Sequence, residues 1–169
     1  MVNEPVHVGF DPDEGRDLYV LEIAAGQVGG FRSPAERFGC FLVVDAMGIA
    51  DATIRGLARA LLDAGAAYFA TWGPDCERVH NLIDAERPRD EPGENDVVMT
   101  TWHADVDLDR AIWESVYVAM PVGRYAQGCN ALVAIVVDNP AAAAQIRRRY
   151  ADLEGLCADL DSEEESGAG

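Results

Sequence analysis

A chain of 169 residues, 49% apolar and 25% charged, can bury a core without disulfides or metals and does not have the composition of a disordered chain. Thirty acidic residues against 13 basic ones leave a formal net charge of −17, which sets the surface against nucleic-acid phosphates and anionic lipid headgroups. Every basic residue is an arginine, so a phosphate-loop lysine, Schiff-base chemistry and a lysine general base are all excluded.

The acidity belongs to the body of the chain. Without Asp159, Asp161, Glu163, Glu164 and Glu165 of the tail, 25 acids still face 13 bases. They are spread from Glu4 to Glu165 and form no sustained block outside the tail, the pattern of a solubility feature rather than a DNA mimic, which needs phosphate-like spacing along one face. No apolar run approaches the roughly 20 residues of a membrane span. Residues 1–10 carry Glu4 and no cationic segment, so no secretory signal is expected. Four cysteines then read as reduced thiols in a cytoplasm. No cofactor, nucleic acid or membrane is expected as a partner.

In chain order, residues 1–37 form a polar extension punctuated by proline and glycine. Its segments 6–10 and 18–23 read as a hairpin across Asp11-Pro12-Asp13-Glu14-Gly15. Gly26, Gly29 and Gly30 follow without a helix start, so they are read as loop and not as a dinucleotide fingerprint. Residues 38–44 are a continuous apolar run ending at Asp45, as in a strand buried on both faces. Asp51 is the expected cap of a helix carrying Ile54, Leu57, Ala58, Leu61 and Leu62, closed by Gly65. A second strand spans 66–71, a short helix runs through Val79, Leu82 and Ile83, and 87–96 is a polar loop. A third strand covers 96–101 and a helix covers 108–120 up to Pro121. A fourth strand, 131–137, ends at Asp138. Asn139-Pro140 then opens one last helix carrying Ile146, Tyr150, Leu153, Cys157 and Leu160. Residues 161–169 form an acidic tail expected to be disordered.

This alternation predicts an α/β domain over 38–160: a three-layer, Rossmann-like or flavodoxin-like fold with a mainly parallel sheet of at least four strands and helices on both faces. In such sheets ligands bind beyond the carboxyl ends of the strands, where strand order reverses. That rim collects Asp45, Trp72, Asp75 and Cys76, then Trp102, His103 and Asp105, and finally Asp138. Asp45, Trp72, Asp75, Trp102 and Asp138 are the candidate ligand-binding set.

His103, Cys76 and Asp105 are the candidate catalytic set. Imidazole titrates near neutrality, Asp105 can orient it, and a thiol at a helix N-terminus has a lowered pKa. Asp75 and Glu77 oppose that lowering, and the commonest fate of a free cysteine is burial as a small hydrophobe. Should the strands lie in the order 66–72, 38–45, 96–102, 131–138, one strand separates the parents of Cys76 and His103, an offset of about 10 Å. Cys76 and His80 share a helix face and, with His103 and Cys129, could make a tetrahedral zinc site. No paired-cysteine motif supports it, and no metal is assigned.

Trp72-Gly73-Pro74-Asp75-Cys76 and Val98-Met99-Thr100-Thr101-Trp102-His103-Ala104-Asp105 resemble two signature stretches of an uncharacterised family of small bacterial α/β proteins, over roughly residues 38–120. Relatives follow the cysteine with serine, tryptophan and aspartates, where this chain has Glu77-Arg78-Val79-His80. The resemblance implies a site on this rim and names no reaction.

The expected function is binding, through the rim (Trp72, Cys76, Trp102, His103) or through helix 108–120. The apolar face of that helix (Leu108, Ala111, Ile112, Trp113, Val116, Tyr117, Ala119, Met120) is broader than one stripe and suits a protein partner or a homodimer. A small ligand is the next target. The alternatives are a small hydrolase or transferase using His103 with Cys76 or Asp105, and an acidic inhibitor or immunity protein.

Overall fold

The computed structural model describes residues 3–88 and 96–168. Within them the elements run β1 (Val6–Asp11), β2 (Arg16–Ile23), β3 (Arg37–Val43), α1 (Asp51–Asp63), β4 (Ala66–Trp72), α2 (Cys76–Glu86) and β5 (Met99–Trp102). They continue with α3 (Leu108–Tyr117), a 3₁₀ turn (Gly123–Ala126), β6 (Cys129–Val137), α4 (Pro140–Tyr150) and α5 (Leu153–Gly167). The polar loop expected at 87–96 falls largely outside the described residues. The strands form one sheet in the order β1-β2-β6-β3-β4-β5. Only β1 runs antiparallel to its neighbour, so the fold is mixed α/β with a mostly parallel sheet.

The core follows the two-residue period of the strands. Phe41 and Val43 of β3, with Leu132, Ala134 and Val136 of β6, pack with Ile112 and Val116 of α3, Ile146 of α4 and Leu156 of α5. The intervening residues, Cys40 and Leu42 of β3 with Val133 and Ile135 of β6, pack with Ile54 and Leu61 of α1 and Val79 and Ile83 of α2. Each large side chain fully buried in these clusters contributes about 1.5–3 kcal/mol.

Four expectations need correction. The hairpin is no extension, because β2 pairs with β6 along seven positions, Asp17–Ala131 to Ile23–Val137. Leu18 and Val20 enter one cluster and Leu21 and Ile23 the other, while Arg16, Asp17 and Glu22 give this central strand its polar look. The assumed strand order is also wrong, since β4 and β5 are direct neighbours. The helix read as 140–160 is two helices. Asp152 starts the second by accepting the Gly155 N–H at 2.9 Å, so a new N-cap interrupts the apolar spacing. Finally, α5 continues to Gly167, past the point where the tail was expected to fray. An Arg110–Glu164 ion pair of 2.9 Å holds that segment to α3.

A buried polar network ties β1, β2, β4 and α3 together. Arg16 and Asp11 are 2% and 0% exposed, and the Arg16 Nη2 to Asp11 Oδ2 distance is 2.9 Å. The same guanidinium donates to the Tyr68 hydroxyl at 2.8 Å and to the Val116 carbonyl. Tyr68 in turn donates to the Ser115 carbonyl at 3.1 Å.

The α3–α4 contact is also polar. Asp109 accepts from Gln145 at 2.8 Å and from the Arg149 guanidinium through both oxygens. Burial pushes the Asp109 carboxyl up, but the hydrogen bonds from Arg149 and Gln145 outweigh it and leave the pKa below the ordinary value. A depressed folded-state pKa stabilises the fold above the unfolded value, near 4, and the contribution disappears as pH falls through the folded value. In urea titrations, Asp109→Asn is therefore expected to lag wild type by a constant margin above about pH 5, a margin that narrows in stronger acid. A gap unchanged down to pH ~2 would contradict the assignment.

Candidate functional site

The rim around β4 and β5 closes into a folded corner. The His103 N–H donates to the Thr71 carbonyl at 3.0 Å, which fixes the loop after β5 beside the end of β4. Both ring nitrogens are occupied. Nδ1 contacts Glu114 of α3, and Nε2 lies 3.1 Å from the Thr101 hydroxyl. The imidazole is only 9% exposed. Asp105, the expected orienter, makes no hydrogen bond to it among the described residues and is exposed. The orienting carboxylate is Glu114. It flanks the buried Ala111 and Ser115 on the same helix, the one sequence signal that it faces inward.

Cys76 does come close to His103, but to its backbone. Burial pushes the Cys76 thiol above its ordinary pKa, and Asp75 adds to the rise. The N–H groups of His103, Cys76 and Gly73 draw it down by less than burial and Asp75 raise it. The side chain is a packed hydrophobe, and the Cys–His pair is not assembled. Trp72 donates its indole N–H to the Val106 carbonyl at 2.9 Å and packs against the core. Trp102 is 44% exposed and lies on His80, with ring centroids 4.5 Å apart. Asp75 opens α2 in the left-handed region (φ 63°) and pairs with Arg78 at 2.6 Å.

The zinc set is divided by the sheet. Cys129 begins β6, whereas Cys76 follows the end of β4, at the opposite end of strands that run in parallel. No group of three metal-ligating side chains occurs among the described residues. The broad face of helix 108–120 is also largely accounted for. The helix ends at Tyr117, Ala111, Ile112 and Val116 are fully buried, and Trp113 and Tyr117 pack against the same cluster.

The reversal of strand order lies elsewhere, between β3 and β6. From β3 the chain proceeds through α1 to β4 on one side, while β6 and β2 stand on the other. A cavity of about 340 Å³ opens at this place. Its walls are Ile23 at the end of β2, Val44 after β3, Val137 at the end of β6, and Ile54 and Leu57 of α1. Among the described residues of the lining, Thr53 supplies the one side-chain hydroxyl. Gly26 and Gly56 also line it, and a Cβ at either would meet nothing within 4 Å.

Both walls are pinned. Asp138, in the left-handed region at φ 50°, accepts the Ala25 N–H at 2.9 Å and donates its own N–H to the Ile23 carbonyl at 3.0 Å. This holds the turn after β2 over the cavity. Opposite it, Arg78 donates to the Ala46 and Ile49 carbonyls and pairs with Asp51 at 2.6 Å, which braces the loop entering α1. Asp51 is thereby the first residue of α1 and not its cap, a place taken by Ala50. None of the expected ligand-binding residues is among the described residues that line the cavity; Asp138 holds the turn that carries its Ala25 wall, and Asp45 is exposed in the loop between β3 and α1. Sequence reasoning missed Arg78 and the whole contribution of β2.

Fold and site together define a mixed α/β protein with a preformed apolar cavity at the carboxyl ends of a mostly parallel sheet. A family model described as a domain of unknown function (DUF7684) matches residues 20–153, and the chain belongs to that family. The match begins within β2, in agreement with the strand's place in the sheet. No curated protein and no solved structure matches the chain. Among the described residues, no helix is long and apolar enough to cross a membrane.

Proposed function

We propose that this chain is a small-molecule binding protein whose ligand occupies the cavity between β2, β3, β6 and α1, within a three-layer, Rossmann-like fold. The carrying observation is the cavity's place. Open α/β sheets bind ligands where strand order reverses, and a preformed apolar pocket of this size suits a compact organic molecule. The two core clusters, with α1 and α2 in one and α3, α4 and α5 in the other, support the three-layer reading. Four unbridged cysteines suit the cytoplasm.

Binding is favoured over catalysis because the described residues of the lining offer no acid, base or thiol, while His103 and Cys76 are engaged in holding a loop. A nucleotide is disfavoured as well. Asp45 and Asp51 bracket the loop into α1, where a phosphate would have to rest.

Gly56 supplies the test. It lies within α1, so Gly56→Leu removes a helix-interior glycine and should stabilise the fold by about 0.5–1 kcal/mol. Gly56 lines the cavity at an exposed position and a Cβ there meets no atom within 4 Å, so a leucine has room to reach across the mouth. Calorimetric titration with indole as a neutral probe is expected to show saturable binding to wild type and at least a tenfold loss in Gly56→Leu. Equal binding by both proteins, or by neither, would sink the proposal.

A further inference from the structure

We infer that the ligand of this cavity is an uncharged, mostly apolar molecule bearing a carbonyl group, and that the Thr53 hydroxyl donates a hydrogen bond to that carbonyl. This rests on the cavity being the ligand site and adds the chemistry that the site selects.

Thr53 differs from every other hydroxyl-bearing aliphatic side chain of the chain. The remaining serines and threonines, from Ser33 before β3 to Ser166 in α5, each make a side-chain hydrogen bond. Thr53 makes none among the described residues, and it lines the cavity. The reason is local. A threonine in a helix ordinarily turns its hydroxyl back to the carbonyl three or four residues earlier. Both of those carbonyls are already engaged here. The Ile49 carbonyl accepts from Arg78 Nη2 at 3.2 Å, and the Ala50 carbonyl accepts the N–H groups of Thr53 and Ile54 at 3.0 and 3.3 Å. Arg78 thus braces the loop into α1 and leaves the Thr53 hydroxyl to the cavity.

The rest of the wall narrows the ligand. Among the described residues of the lining no side chain is charged, and Thr53 carries the one polar side-chain group. An ionised ligand group would be buried there without a partner, which costs far more than burying a neutral group that is hydrogen-bonded. The sense of the hydrogen bond follows from α1. Thr53 is the third residue of that helix, so a ligand oxygen accepting from it sits at the positive end of the helix dipole. Asp51, whose charge would oppose an acceptor there, is paired with Arg78 at 2.6 Å.

Indane and 1-indanone share one ring system and differ by a carbonyl. Both are titrated calorimetrically, at neutral pH, into the full chain and into Thr53→Val, which keeps the branched shape and removes the hydroxyl. Thr53→Val is expected to weaken 1-indanone about tenfold, because the carbonyl is then buried without a donor. Indane should stay within about twofold of wild type, which also reports an intact cavity in the variant. Thr53→Ser restores the hydroxyl without the methyl group and should return most of the affinity for 1-indanone. Protonated 1-aminoindane and indane-1-carboxylate should each bind wild type at least about tenfold more weakly than 1-indanone. Equal losses of both neutral probes in Thr53→Val, no loss of either, or a charged probe that binds as tightly as the ketone overturns this ligand class and leaves the cavity reading intact. Failure of indole, indane and 1-indanone alike to bind wild type removes the cavity reading as well.

Discussion

Arg16→Ala is expected to lower stability by about 3–5 kcal/mol, the largest single effect among charged positions of this chain. Arg16 and Asp11 are both withdrawn from water, so truncating the arginine strands a carboxylate that is 0% exposed. It also removes the donors to the Tyr68 hydroxyl and to the Val116 carbonyl. Part of the loss arises from those orphaned acceptors rather than from the charge pair. The double replacement Asp11→Leu/Arg16→Met separates the two contributions. It removes the unpaired charge but not the lost donors, and should recover a substantial part of the stability. Urea unfolding at neutral pH reads both variants. A loss below about 1 kcal/mol for Arg16→Ala would mean that water reaches the network.

The second large effect is expected from a single methyl group. A Cβ on Gly39 of β3 would lie 2.2 Å from Tyr68 Cζ and 2.3 Å from its hydroxyl. Tyr68 is fully buried and held at that hydroxyl by Arg16 and Ser115, so the ring cannot swing aside without breaking the same network. Gly39→Ala should therefore cost about 1–3 kcal/mol from overpacking, and more where the Tyr68 hydrogen bonds break. The diagnostic is non-additivity. Tyr68→Leu removes the atoms that clash, so Gly39→Ala/Tyr68→Leu should be less destabilised than the sum of the single variants. Strict additivity in thermal or urea unfolding would show that the ring is not what excludes a side chain at residue 39.

Much of the architecture was legible because it is written locally. The apolar runs of β3, β4 and β6 contain almost no charge, as strands covered on both faces require. Asn139-Pro140 announced the start of α4, and Asn139 does accept the Ala142 N–H. Three features were not legible. The break at Asp152 is a cap hidden in a periodic apolar pattern, and Gly155, whose N–H donates to it, reads equally well as a weak helix residue. The place of β2 was masked by Arg16, whose charge is internal and paired, and by Asp17 and Glu22. Strand order depends on which long-range contacts win, and no local pattern reports it.

The order decided the site. The rule that ligands bind at the reversal was applied at the end of the sheet where the cavity opens, but neither Asp45 nor Asp138 is among the described residues that line it. The remaining candidates lie around β4 and β5, one strand or more away from the reversal. There the unusual residues do structural work: Trp72 reaches the Val106 carbonyl, and His103 bridges Glu114 and Thr101. Arg78 escaped notice because three of its four partners, Ala46, Ile49 and Asp51, are distant in sequence.

Methyl-resolved NMR of the full chain titrated with indole tests the location of the site most directly. The account predicts saturable shifts concentrated on the methyl groups of Ile23, Val44, Ile54, Leu57 and Val137, which surround the cavity. Saturable shifts centred instead on Thr101 and Val106, beside the corner held by His103, would contradict it, as would the absence of any saturable shift.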